Sequence, residues 1–159
     1  MKLVSLSAIK PLKEDVEYVK SERVNAVKVR WIQCQCYEIK LPNGKTIVID
    51  PFFAEDKAGK KFKLPSPFSA DDFEGCDYIL LNHSHCDHVL SIPELFEKFH
   101  PTVICDSRYA YQLSEAFDIP FGNIFPIGPG HSYLFEDFRL DVTQTIHNPL
   151  AGASGAKRN

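Results

Sequence analysis

The chain has 159 residues, and its 44% hydrophobic and 25% charged content is typical of a globular domain, not of a disordered protein. The formal net charge of -3, with no basic block, argues against a polyanion as partner. No apolar run is long enough to span a bilayer, and Lys10, Pro11 and Lys13 interrupt the apolar start before a signal-peptide core develops. Five cysteines without a disulfide-like spacing predict reduced thiols, and therefore a cytoplasmic protein with no membrane partner.

The first elements in chain order predict a β-meander. Residues 27–31 alternate apolar and charged side chains, residues 36–39 continue as a second strand, and an Asn-Gly turn precedes a third strand at 46–49. Cys34 and Cys36 are two apart in this region, so we expect them to share a strand face as small buried residues, with a thiolate role as the alternative.

The later elements predict alternating strands and helices. A long loop at 51–72 leads to a buried strand at 78–81. Ser91 is a good N-cap for the next helix, and Asp106 or Ser107 for a second one. Further strands are predicted at 103–105, 124–126, 132–135 and 138–145. This order predicts an α/β fold with a mixed sheet, in which ligand sites gather at strand ends.

The most informative segment is the run from His83 to His88, which reads His-Ser-His-Cys-Asp-His directly after the buried strand. In an extended segment His83 and His85 share a face, so both imidazoles can reach one ion. Asp87 and His88 follow where the chain turns, and can address a second ion. A histidine-rich polar loop and a structural zinc site are the alternatives, although structural sites favour cysteines. Cys86 is a spacer or a further ligand.

The pattern His-x-His-x-Asp-His after an apolar strand resembles the signature of the metallo-β-lactamase superfamily of hydrolases. The strand at 46–49 followed by Asp50-Pro51 is similar too, and the lead-in at 77–85 most resembles the branch with ascorbate-lactonase-like proteins. The resemblance covers roughly residues 26–148. It implies an αββα sandwich, of which residues 1–159 would form a single domain, incomplete at the C-terminus, with one mixed sheet and flanking helices.

The resemblance also implies roles by position. His83 and His85 match the ligands of a first metal, and Asp87 and His88 those of a second; a strand-end histidine, His147, is the expected third ligand of the first metal. Asp50 resembles an aspartate that braces the histidine loop without touching the metal, although an aspartate before proline is also a common turn residue. His100 and His131 match nothing in the family pattern.

Two parts of the family pattern are missing from this chain. A bridging aspartate and a last histidine normally follow, but residues 148–159 contain neither an acid nor a histidine. Two divalent ions about 3.5 Å apart repel by roughly 19 kcal/mol at an effective dielectric of 20. Without the bridging carboxylate, we expect the second metal to bind weakly or not at all. In the family, the part that is missing here also supplies the second sheet of the sandwich. One apolar face of the predicted sheet is therefore uncovered, which predicts a longer polypeptide or self-association as a homo-oligomer.

These observations predict a metal-dependent hydrolase in which Asp87 orients a metal-activated water for attack on an ester, lactone, amide or phosphodiester of a small molecule. The expected cofactor is zinc, as one or two ions, with iron or manganese as alternatives. Two other functions remain open, namely an RNA nuclease of the same superfamily and a non-catalytic metal-binding module with an incomplete site. The missing basic face argues against the nuclease.

Overall fold

The computed structural model describes residues 25–53 and 68–144. They belong to two compact units, one ending at Ile127 and one beginning at Gly128. His147, the end of the predicted last strand and most of the predicted 51–72 loop lie outside the described residues. The strands of the first unit are β1 (Lys28–Gln33), β2 (Cys36–Lys40), β3 (Thr46–Ile49), β4 (Tyr78–Leu80), β5 (Thr102–Asp106) and β6 (Ile124–Ile127). Its α-helices are α1 (Cys86–Val89), α2 (Ile92–Phe99) and α3 (Ala110–Phe117).

The first unit is built on a six-stranded sheet whose order follows the chain, from β1 to β6. The pairs β1–β2 and β2–β3 are antiparallel, which confirms the predicted meander. The pairs from β3 to β6 are parallel, with α1 and α2 between β4 and β5 and α3 between β5 and β6. The predicted α/β class with a mixed sheet is confirmed. Because β3, β4 and β5 are parallel, their carboxyl ends lie at the same edge of the sheet, next to the histidine run.

One face of the sheet carries the hydrophobic core of the unit. Its strand residues include Ile32, Val48, Ile79 and Val103, which are all 0% exposed and cluster with Leu95 of α2. On the other face, the alternate residues of β1 and β2 are open to solvent. Val29, Trp31 and Tyr37 are 42%, 45% and 39% exposed, so this corner of the sheet presents apolar side chains to solvent.

The helix starts differ from the sequence predictions. Ser91 does precede α2, but its hydroxyl accepts the backbone N–H of Phe53 (2.8 Å) and does not cap the helix. Asp106 ends β5, and its carboxylate accepts the backbone N–H of Arg108 (2.8 Å) in a local turn, so α3 begins only at Ala110. None of the helices in the described ranges has the length and apolar character needed to cross a membrane.

The second unit contains a two-stranded antiparallel hairpin of β7 (Ser132–Leu134) and β8 (Arg139–Asp141). This confirms the predicted hairpin, although both strands are shorter than their alternating patterns suggest. The rings of Phe135 and Phe138 stack at 4.6 Å beside the turn.

The buried thiols of the first unit predict a loss of stability at alkaline pH. Burial raises the pKa of Cys36 to about 12 and that of Cys105 to about 11. The folded state therefore favours the protonated thiols, so their contribution is complete below about pH 9 and is lost as the pH rises towards about 11–12. We expect urea titrations to show the free energy of unfolding falling by up to about 1.4 kcal/mol per pH unit for each thiol. A Cys36→Ala variant should show a shallower decline, and an unchanged slope would contradict this expectation.

Candidate metal centre

The histidine run begins where β4 ends. The backbone N–H of Leu81 still bonds to the carbonyl of Ile104 (3.0 Å), after which the chain leaves the sheet. His83 and His85 lie in the irregular segment that follows, whereas Asp87 and His88 lie on the single turn of α1. The backbone N–H of His88 bonds to the carbonyl of His85 (2.9 Å), which folds the motif back on itself.

This folding brings the three imidazoles of the motif together. The ring centroids of His83 and His85 are 4.7 Å apart, and those of His83 and His88 are 3.9 Å apart. The Asp87 carboxylate joins the group, since its Oδ2 lies 3.7 Å from His88 Nε2. Four of the five residues that the sequence predicts as metal ligands therefore cluster, and the fifth, His147, is outside the described residues.

Asp50 connects the end of β3 to this cluster. Its side chain is fully buried, and both its oxygens accept hydrogen bonds from Asn82, from the backbone N–H (2.8 Å) and from the amide Nδ2 (2.7 Å). Its Oδ2 also lies 2.9 Å from Nδ1 of His88, at ion-pair distance. The backbone of Asp50 is left-handed, with φ +44°, a conformation that Asp adopts more readily than most residues. The carboxylate thus lies where it can hold both ends of the histidine loop.

Asn82, which donates two hydrogen bonds to Asp50, was not predicted from the sequence. It directly precedes His83 and anchors the loop through Asp50. An amide in this place carries no sequence signal of its own, because its partner lies on a different strand.

The donor set fits a divalent cation, but its present arrangement is not a closed cage. His88 is 6% exposed, and its Nδ1 is buried and makes no aligned hydrogen bond despite its proximity to Asp50. Nδ1 faces the Asp50 carboxylate 2.9 Å away, so Nε2 is the ring nitrogen of His88 that could bind an ion. Within residues 25–53 and 68–144, no three His, Cys, Asp or Glu side chains are positioned to hold one ion. Binding an ion would therefore require the rings to turn away from their mutual contact.

An open cavity of about 500 Å³ lies beside the cluster. Its walls come from the turn after β1, from β2, from the end of β3 and from the histidine loop. The lining residues are Cys34, Gln35, Tyr37, Ile49, Asp50, Asn82, His83 and His88.

The prediction that Cys34 and Cys36 share a strand face is wrong, because Cys34 and Gln35 form a two-residue turn between β1 and β2. Cys36 is buried in the core, whereas Cys34 is exposed, with a left-handed φ of +49°. Partial burial raises the pKa of the Cys34 thiol, and the negative charge of Asp87 raises it further. Cys34 lines the cavity beside the histidine motif, together with His83 and His88.

Comparison with known proteins gives the family. Residues 45–157 match the model of a "Beta-lactamase superfamily domain". The chain belongs to the metallo-β-lactamase superfamily. The histidine motif thus indicated the superfamily correctly, while the ascorbate-lactonase-like branch stays a prediction.

Individual relatives of this metallo-β-lactamase superfamily chain are distant. A "UPF0173 metal-dependent hydrolase" of Sulfurisphaera tokodaii is 28% identical over 124 residues, which are 76% of this chain and 51% of that protein. The solved metallo hydrolase Igni18 of Ignicoccus hospitalis is 16% identical, with a TM-score of 0.55 over 70% of this chain and 43% of Igni18. A structure of the chemotaxis sensor ODP of T. denticola, described as a peroxy diiron species, is also 16% identical, with a TM-score of 0.50 over 77% of this chain and 50% of that chain. The chain therefore spans about half the length of the curated relatives it matches.

Proposed function

We propose that the protein is a metal-dependent hydrolase that acts on small molecules. The observation that carries this proposal is the cluster of His83, His85 and His88 with the Asp87 carboxylate, at the end of a buried strand and beside an open cavity. Membership of the superfamily and the printed name of the Sulfurisphaera relative support it.

Zinc is the cation we propose, as one or two ions, with His83, His85 and His147 as ligands of the first ion and Asp87 and His88 as ligands of the second. Imidazole suits zinc as well as iron, so iron remains the alternative, and the diiron description of the ODP sensor keeps it open. Manganese is less favoured, because it prefers carboxylate and water ligands. When bound, a zinc ion supplies a Lewis acid and lowers the pKa of a coordinated water to about 7.

The side chains around the cluster have separable roles in this proposal. Asp50 positions His88, because a buried carboxylate 2.9 Å from Nδ1 fixes the orientation of the ring. Asp87 is partly exposed, so its Oδ2 can accept a proton from an attacking water and return it to the leaving group. Tyr37 and Ile49 provide an apolar wall for the uncharged part of a substrate.

The cavity favours a small-molecule substrate over RNA. Its volume of about 500 Å³ lies within the range of small-molecule sites. None of its lining residues is a lysine or an arginine, and a nuclease needs such residues to bind phosphates. We therefore propose an ester, lactone, amide or phosphodiester of a small molecule as the substrate class.

We also propose that the protein works in the cytoplasm. All five cysteines are free, and three of them are buried. Unpaired thiols persist in a reducing compartment. Cell fractionation that recovered the protein from an oxidising compartment would contradict this placement.

Replacing His85 by alanine is the direct test of the hydrolytic proposal. We expect zinc-dependent hydrolysis of a panel of nitrophenyl esters, lactones and phosphodiesters to fall to the background rate, because a ligand of the ion is lost. The control is His131→Ala, since this exposed histidine of the second unit belongs to no part of the cluster. Unchanged turnover in His85→Ala would exclude the proposed site. Zinc binding without turnover in the unaltered protein would instead identify a non-catalytic metal-binding module.

A further inference from the structure

The side chain of Asn82 contacts the buried carboxylate that lies beside His88. Asn82 and Asp50 both line the open cavity, but Asn82 is exposed, whereas the side chain of Asp50 is 0% exposed. The amide Nδ2 of Asn82 donates to Oδ2 of Asp50 (2.7 Å). An exposed residue thus supplies a hydrogen bond to a carboxylate that solvent does not reach.

The backbone of Asn82 makes a second bond to Asp50, which belongs to the sheet. The N–H of Asp50 donates to the carbonyl of Leu80 (3.1 Å), as in a parallel ladder. The next bond of such a ladder would join the N–H of Asn82 to the backbone carbonyl of Asp50. Here the carboxylate Oδ1 accepts that N–H instead (2.8 Å), at a residue whose φ of +44° takes the chain out of the strand conformation. Any residue except proline can make this backbone bond, so it does not depend on the amide.

The side-chain bond has a different consequence, because it shares its acceptor with the imidazole of His88. Nδ1 of His88 lies 2.9 Å from Oδ2 of Asp50, the oxygen that also accepts from Asn82. The terminal torsion of an aspartate side chain is broad, so the neighbours of the carboxylate set its rotation. Without the amide, a water molecule from the cavity can donate to Oδ2 in its place. The carboxylate would then no longer be held towards Nδ1.

We propose that Asn82 is a positioning residue of the metal centre, which acts through Asp50 on the imidazole of His88. This inference rests on the proposed metal function. The amide keeps Oδ2 directed at Nδ1, so the proton of the neutral imidazole stays on Nδ1. The lone pair of Nε2 is then available to a cation. Asn82 itself does not bind the ion.

Zinc affinity tests this assignment without a measurement of activity. Asn82→Ala removes the amide and keeps the backbone N–H, so we expect the ion at His88 to bind about 10–100-fold more weakly in competition with a chromophoric chelator. Asn82→Ser restores a side-chain donor and should bind zinc more tightly than Asn82→Ala. The matched control is Asn43→Ala, which removes an exposed amide that accepts the N–H of Lys45 (3.1 Å). It should bind zinc as the unaltered protein does.

The tautomer of His88 is a readout that a merely structural role of Asn82 would not change. In the metal-free chain with nitrogen-15-labelled histidine, long-range hydrogen–nitrogen spectra at mildly alkaline pH should show one tautomer of His88, with the proton on Nδ1. We expect a mixture of both tautomers in Asn82→Ala and a single one again in Asn82→Ser. A His88→Ala variant identifies both the signal in the spectrum and the ion in the titration.

The possible outcomes separate this inference from the proposed function. Equal zinc affinities in Asn82→Ala and Asn43→Ala, or the same single tautomer of His88 in both, would overturn the positioning role and leave the metal function intact. A urea midpoint of Asn82→Ala far below that of Asn43→Ala, without recovery of zinc affinity in Asn82→Ser, would also overturn it, because the amide would then be structural. Failure of the unaltered protein to bind zinc would overturn the proposed function, while the metal-free spectra would still decide whether Asn82 positions His88.

Discussion

Replacing Asp50 by alanine is expected to lower the free energy of unfolding by about 4–8 kcal/mol and to disorder the histidine loop. The fully buried carboxylate accepts two hydrogen bonds from Asn82, at 2.8 and 2.7 Å. Hydrogen bonds to a charged group contribute about 1.5–3 kcal/mol each. Alanine at φ +44° adds a backbone penalty of about 1–2 kcal/mol. Urea denaturation measures the total.

Two variants separate the parts of this effect. Asp118→Ala removes an exposed aspartate with φ +52°, so it should show the backbone penalty alone, about 1–2 kcal/mol. Asp50→Asn keeps the shape and tolerates the left-handed backbone, but removes the negative charge beside His88. It should cost less stability than alanine while weakening zinc binding about 10–100-fold. Equal losses of stability in Asp50→Ala and Asp118→Ala would show that the loop does not depend on the carboxylate.

Replacing Glu38 by alanine is expected to lower the free energy of unfolding by about 3–5 kcal/mol, because it leaves Arg30 with an uncompensated buried charge. The Glu38 side chain is 0% exposed and that of Arg30 is 14% exposed, with 2.6 Å between Oε2 and Nη2. Arg30 also donates to the carbonyl of Asp72 (2.8 Å), so the pair connects β1 and β2 to the segment before β4. Urea denaturation is again the measurement.

The matched control for Glu38 is an exposed pair directly before β3 and β4 of the same sheet. Lys45 and Asp77 are 2.8 Å apart with 47% and 32% of their side chains exposed, so Lys45→Ala should cost less than about 1 kcal/mol. The double variant Arg30→Met/Glu38→Leu should be close to the unaltered protein in stability, because an apolar pair needs no compensation. A Glu38→Ala loss no larger than that of Lys45→Ala would contradict the proposed importance of burial.

The strands and the histidine motif were predictable because their signals are local. Alternation along β1 and the apolar run of β4 depend on neighbouring residues only. The four clustered side chains predicted as ligands, from His83 to His88, fall within six consecutive residues, so one loop is enough to gather them. Their chemistry could be predicted before any tertiary contact was known.

The rest of the site depends on contacts between strands and could not be predicted in the same way. Asp50 reaches the loop because β3 and β4 are parallel neighbours, with its own N–H bonded to the carbonyl of Leu80 (3.1 Å). It was inferred only from family resemblance. The turn at Cys34 was missed because residues 33–36 contain no Gly, Pro or Asn to mark it.

The predicted helix caps were wrong for a related reason, because other groups bind the capping side chains. The hydroxyl of Ser91 is taken by the backbone of Phe53, a residue 38 positions earlier in the chain. The carboxylate of Asp106 is taken by Arg108, which binds it through both its backbone and its side chain. A capping residue read from sequence is free to cap only if no tertiary or local partner binds it first.

Zinc content is the most direct measure of the central claim, that the histidine cluster holds a divalent cation. Elemental analysis after dialysis against Zn²⁺ and removal of free metal should find at least one zinc per chain in the unaltered protein and in His131→Ala. The double variant His83→Ala/His88→Ala should retain none. Equal zinc contents in the double variant and the unaltered protein would contradict the claim.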